Sequence, residues 1–304
     1  MHTFEQLRKA AAAGPTRRAA VVFPHDTDTV TAACEAAEQG LIEPVFVGDA
    51  RKIRQLLEQA GRTLGTWQLV QANDAAEAAA AAVALVRAGE ADLLMKGLLD
   101  TKLILQAVLD PEKGLRTGRV LSHVAAFSLP LYTKLLFLSD AAITILPTLA
   151  QKREIIMNAA EVARAVGVSR PKVAMICAKE KPDPKMPATM DAATLQQESL
   201  AAALGDCMVS GPLALDNAVS HEAAAQKGIQ DPVAGDADIL LMPNIEAGNA
   251  VYKALVFLAG AENAGIVVGA AAPVVLTSRA DSQESKLNSI ALAALHAGPG
   301  TESA

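Results

Sequence analysis

Aromatic residues are scarce in this 304-residue chain, at 3%, although 51% of it is hydrophobic. Its apolar material is mostly Ala, Val, Leu and Ile. That mix suits helices laid closely on a sheet and speaks against an aromatic-rich β-sandwich. Only three cysteines occur, Cys34, Cys177 and Cys207, without CxxC spacing or a nearby His pattern. Neither a zinc site nor a disulfide framework is expected, and the thiols read as reduced and mostly buried. Clustered positive charge is missing too: the formal net charge is -6 and the Lys and Arg residues are scattered. This argues against nucleic acid as a partner and leaves room for a local anion pocket.

Long apolar runs are also lacking. The longest uncharged stretch lies between Glu262 and Arg279 and is interrupted by Gly265, Gly269 and Pro273. It is too short to span a bilayer. The start Met1-His2-Thr3-Phe4-Glu5 has no basic-then-apolar leader pattern, so the expected compartment is the cytoplasm. No GxSxG elbow, Walker A loop, HExxH or GxGxxG after the first strand is present. Common hydrolases, nucleotide-triphosphate enzymes and ordinary dinucleotide dehydrogenases lack support.

What is present is alternation. Short apolar runs at 19–23, 44–47, 69–70 and 93–95 alternate with helix patterns at 27–39, 49–60 and 74–88. That pattern predicts parallel strands joined by right-handed crossovers. Asp110-Pro111-Glu112-Lys113-Gly114 is a loop and a plausible domain edge. Runs at 120–127 and 135–138 are close enough to pair as antiparallel neighbours. Helices are expected at 148–166, 188–203, 246–258 and 282–296, strands at 172–178 and 238–242, and one apolar segment at 266–276. The length suits two domains.

Ligands in open α/β sheets sit beyond the carboxyl ends of strands. Lys96-Gly97, Pro243-Asn244 and Ser278-Arg279-Ala280-Asp281 follow such runs. Each precedes a helix start, where free N–H groups favour an anion. Arg279 either holds a phosphate or an oxyanion, or pairs with Asp281 or Glu284 on the surface. Lys96 either points into solvent or serves an anion, with Gly97 allowing close backbone approach. His123, inside an apolar run, reads as a core histidine. Asp231, Asp236 and Asp238 have the spacing of caps and turns rather than of a metal loop.

Several segments together resemble the phosphate acetyl/butyryltransferase family. They are Leu94-Met95-Lys96-Gly97-Leu98 with Thr101; Gly114-Leu115-Arg116-Thr117-Gly118-Arg119 running to Ser122-His123; and Lys185-Met186-Pro187-Ala188-Thr189-Met190-Asp191. Next come Gly211 to Ala218 and Pro232 to Asp238. The series closes with Pro243-Asn244-Ile245-Glu246-Ala247-Gly248-Asn249 with Tyr252-Lys253, and Leu276-Thr277-Ser278-Arg279-Ala280-Asp281-Ser282. One such motif is weak; the ordered series over about two thirds of the chain is specific. The wording is closer to the butyryl branch.

The resemblance implies two α/β domains of the isocitrate/isopropylmalate dehydrogenase-like three-layer αβα type. They would span 1–117 plus 268–304, and 118–267. It implies a cleft holding coenzyme A and acyl phosphate, no resident cofactor, no metal, and a homodimer. The reaction would be reversible transfer of a short acyl group between coenzyme A and inorganic phosphate. The resemblance puts Ser278 and Arg279 at the reacting carbonyl. Lys96, Thr101, Arg116, Asn244, Glu246, Asn249 and Lys253 become substrate contacts. In the acetyl branch an Asp seven residues after the Ser of the Ser-Arg pair acts as thiol base; Ser285 stands there, leaving Asp281, Glu284 or a residue elsewhere in the chain as candidates. That branch's early-helix Arg is replaced by Gln106 or a neighbour, so Lys96, Arg116 and Arg119 are candidates for its charge. Two alternatives remain: a metal-dependent decarboxylating dehydrogenase of the same fold, and a catalytically silent coenzyme A-binding module.

Overall fold

The computed structural model describes residues 1–276 and 281–297. The chain divides into two compact units. The first comprises Phe4–Arg119 and the chain from Ala264 onward; the second comprises Met1–Thr3 and Val120–Asn263.

The first unit opens with α1 (Phe4–Ala13), β1 (Arg17–Val22), α2 (Thr27–Glu38), β2 (Ile42–Gly48), α3 (Ala50–Gln59), β3 (Gln68–Gln71), α4 (Ala75–Arg87), β4 (Leu93–Lys96) and α5 (Thr101–Val108). One device recurs here: after β1, β2 and β3 an aspartate starts the next helix. Asp26 accepts from the Thr29 N–H, Asp49 from those of Arg51 and Lys52, and Asp74 from those of Ala76 and Glu77. These bonds satisfy donors that a helix start leaves open. The Ala-rich face of α4 buries Ala78, Ala79, Ala82 and Val83, so side chains of minimal bulk set a close helix–sheet spacing.

The second unit follows with β5 (Ser122–Leu129), β6 (Tyr132–Ser139), α6 (Leu149–Ala165), β7 (Lys172–Ile176), α7 (Pro187–Leu200), β8 (Met208–Leu213), α8 (Leu215–Val219), α9 (His221–Gln226), β9 (Ile239–Leu241) and α10 (Ile245–Phe257). The chain then supplies β10 (Glu262–Val268), β11 (Val274–Val275) and α11 (Gln283–His296).

In the first unit the strand order is β3-β2-β1-β4-β11-β10. All neighbours are parallel except β10 and β11, which pair antiparallel with Val267 opposite Val274. The single apolar segment expected at 266–276 is therefore two strands, and the chain turns between them at Gly269, whose φ is 100°. In the second unit the order is β5-β6-β9-β7-β8. β5 and β6 form the expected antiparallel pair and the rest are parallel.

The acidic group at 231–238 has structural partners. Lys134 Nζ lies 2.7 Å from both Asp236 and Asp238, Lys172 Nζ lies 2.5 Å from Asp236, and the Lys172 N–H donates to Asp238 at 2.8 Å. Asp231 accepts from the Val233 N–H. These carboxylates pin β6, β7 and the approach to β9.

Candidate active site

The strand order of the first unit marks a switch point in the sheet. The chain moves from β1 outward to β2 and β3, then places β4 on the other side of β1. The reversal between β1 and β4 is where ligands collect beyond the strand ends of an open α/β sheet. Val22 and Lys96 are register partners at that end. The Gly97 N–H donates to the Val22 carbonyl and the Leu98 N–H to the Phe23 carbonyl, both at 2.9 Å. A Cβ on Gly97 would stand 2.6 Å from each of those oxygens, so only glycine fits. Lys96 is half-buried, and its Nζ donates to the Gly97 carbonyl at 3.3 Å. Thr101 opens α5 and is exposed; Asp100 before it makes no side-chain cap.

On the other side of β4, β11 ends at Val275, the register partner of Met95. Ser278 and Arg279, two of the four expected catalytic residues, lie outside the described residues. Past them, Asp281 is half-buried and Ser282 caps α11 through the Ser285 N–H at 3.1 Å. Glu284 is exposed, 3.9 Å from Arg8. Ser285 is buried, its hydroxyl 3.0 Å from that of Ser282. Arg116 is exposed; its backbone bridges to Ala270, and the Thr117 hydroxyl donates to the Gly269 carbonyl at 2.6 Å.

In the second unit the ends of β6 and β9 are parallel neighbours, Ser139 beside Leu241. Asp140 is buried there and its carboxylate accepts the N–H groups of Ala142, Ile143 and Thr144 at 2.8–3.0 Å. The start of α10 rests on this loop. A Cβ on Gly248 would stand 2.2 Å from the Asp140 carbonyl oxygen. Asn249 donates to the Ala141 carbonyl at 3.2 Å, and Asn244 caps α10 by accepting the Ala247 N–H at 2.9 Å. Both asparagines thus hold the helix start in place, while Glu246 and Lys253 are exposed. His123 is buried with its ring 6.0 Å from that of Tyr252. Burial pushes the Cys34 and Cys177 thiols up to about 11, which removes them as nucleophiles at neutral pH.

No residue of the turn after β1 is among the expected site residues. Phe23, beyond the strand end, has φ +52°, the left-handed region that a phenylalanine rarely adopts. His25 follows, buried against β2. The available signal was the same one that picked out Lys96: a polar turn directly after an apolar strand.

The family model for phosphate acetyl/butaryl transferase matches residues 70–294. The chain belongs to this family. It is 45% identical over 296 residues to a phosphate butyryltransferase of Clostridium acetobutylicum, covering 97% of this chain and 98% of that one. It is 44% identical to a phosphate acetyltransferase of Rhizobium meliloti, covering 97% and 93%. Among solved structures, a branched-chain phosphotransacylase from Enterococcus faecalis V583 superposes with a TM-score of 0.80 at 35% identity, covering 93% and 99%. The family match takes in the β4 end at Lys96–Gly97, the β6 and β9 ends and the Ser278–Arg279 segment, and begins after the β1 end at Val22.

Proposed function

We propose that the chain is a phosphate acyltransferase that moves a short acyl group, butyryl or acetyl, reversibly between coenzyme A and inorganic phosphate. Near-full-length similarity to enzymes named for that reaction carries the reading. Phosphate attacks the thioester carbonyl, the C–S bond breaks, and acyl phosphate and the free thiol leave. In reverse, the thiol gives up its proton and attacks the acyl phosphate. Both directions build negative charge on the carbonyl oxygen. Donors already aimed at that oxygen lower the barrier most, and Ser278 and Arg279 have that role. Asp281 or Glu284 accepts the thiol proton.

Lys96, Thr101 and Arg116 serve phosphate. The β1–β4 reversal and an α5 start without a side-chain cap suit an anion. Glu246 and Lys253, on a helix start fixed by Asn244 and Asn249, serve coenzyme A. The two units are the domains of an isocitrate/isopropylmalate dehydrogenase-like fold. No resident cofactor or metal takes part. The enzyme works in the cytoplasm as a homodimer. Among the described residues, Leu109 is the one exposed large apolar side chain of the first unit; Leu131, Ile145, Leu146, Phe257, Leu258 and others belong to the second. Such exposure supports an interface on the second unit.

The test is thiol release from acetyl-, propionyl-, butyryl- and isobutyryl-coenzyme A, with and without phosphate. Release that needs phosphate and survives a chelator is expected. Release without phosphate, or loss in chelator that magnesium restores, overturns the reading.

A further inference from the structure

The corner Phe23–Pro24–His25–Asp26 is built around one acceptor bond. The Asp49 N–H donates to His25 Nε2 at 3.0 Å, so Nε2 must carry a lone pair. The His25 ring leans on the Phe23 ring, centroids 3.7 Å apart, and the His25 N–H donates to the Phe23 carbonyl at 2.8 Å. That carbonyl also receives the Leu98 N–H. A Cβ on Gly48 would stand 2.9 Å from Nε2, so β2 admits the imidazole only where it has no side chain. A non-glycine residue in the left-handed region persists only when its surroundings over-determine it. Here the surroundings are His25 on one side and the Lys96–Gly97–Leu98 backbone on the other.

We infer that His25 is a positioning residue: as a neutral imidazole it locks the Phe23 corner on which Lys96–Gly97 rests, and its protonation loosens that seat and weakens phosphate use at acid pH. The inference rests on the reading that Lys96 serves phosphate. Protonation would set a second N–H against that of Asp49, and two donors cannot share 3.0 Å without repulsion. The charged groups facing the ring are Asp26 of its own corner, Asp49 at the cap of α3, and Lys52 on α3. Burial, then Lys52, hold the imidazole below its usual range against the two aspartates. The seat is therefore intact at neutral pH and fails as pH falls through that lowered value.

The experiment measures the phosphate KM and kcat from pH 7.5 downward for wild type, His25→Gln and His25→Phe, with melting curves on the same preparations. The Gln amide oxygen can accept the Asp49 N–H and does not titrate. The wild-type phosphate KM should rise about tenfold per pH unit below the imidazole pKa, beyond any change in His25→Gln. Phosphate's own ionisation cancels in that comparison. His25→Phe should show a raised phosphate KM at every pH, with kcat much less affected. An acid limb in His25→Gln identical to wild type overturns the inference, as does a wild-type phosphate KM in a folded His25→Phe. An independent readout is the Asp49 amide NMR shift, which should titrate with His25. Absence of phosphate-dependent release in wild type sinks the functional reading, whereas an Asp49 amide that does not follow His25 sinks the lock.

Discussion

In the proposed mechanism Arg279 is the residue on which the chemistry turns most directly. As the donor for the developing oxyanion, its replacement by Ala should lower turnover by roughly a hundred- to a thousandfold. Arg279→Lys should recover only part of that, because an ammonium cannot reproduce a planar, two-pronged contact. Turnover and a melting curve on one preparation check this. Near-normal turnover with less than about 1 kcal/mol of lost stability would make it a surface ion-pair partner instead. Ser285 shows why the thiol base must be sought elsewhere: the position that carries an Asp in the acetyl branch is buried, its hydroxyl turned to Ser282. Lys96 and Gly97 were legible because the strand ending there is a plain apolar run. His25 was not, since its partner Asp49 lies 24 residues away and only the parallel pairing of β1 with β2 brings them together.

Helix α10 is apolar along most of its length, yet Gly248 is its one buried residue. Phe257 is 72% and Leu258 is 86% exposed at its far end. A helix that is hydrophobic nearly all round normally has its faces covered, and in the proposed homodimer a second copy would supply the cover. Phe257→Asp with Leu258→Asp should convert a dimer to a monomer in light scattering; a monomeric wild type over a wide concentration range would contradict this. Strands β1 to β3 and helices α2 to α4 of the first unit could be read because each of those strands hands over to an aspartate cap. Strand β8 could not. Gly211-Pro212 in its middle argues against a strand, and it survives because β8 lies at the sheet edge with only β7 beside it, where the missing N–H costs no ladder bond. The run at 266–276 misled in the other direction, since Gly269 and Pro273 mark a reversal rather than interruptions in one strand.

For the whole molecule, the Asp236 cluster ties stability to pH on the acid side. Burial raises the Asp236 pKa, but hydrogen bonds from Lys134 and Lys172 outweigh it and leave the carboxyl below its usual range. A depressed folded-state pKa adds stability that is complete above the unfolded value, about 3.9, and is lost as pH falls through the folded one. The melting temperature should therefore drop more steeply below about pH 4 in wild type than in Asp236→Asn. Equal slopes would show that other carboxylates govern acid unfolding. The division of the chain at Arg119 and Ala264 has a consequence for how the protein is made. On the ribosome the second unit is complete while the first still lacks β10, β11 and α11. Until Val275 leaves the exit tunnel, β4 is paired with β1 alone, and its other edge is an open ladder. The unit synthesised first is thus the last to close. A nascent chain whose Asn263 has just cleared the exit tunnel would present an inserted domain within an unfinished host, with that bare strand edge as the feature a chaperone would meet.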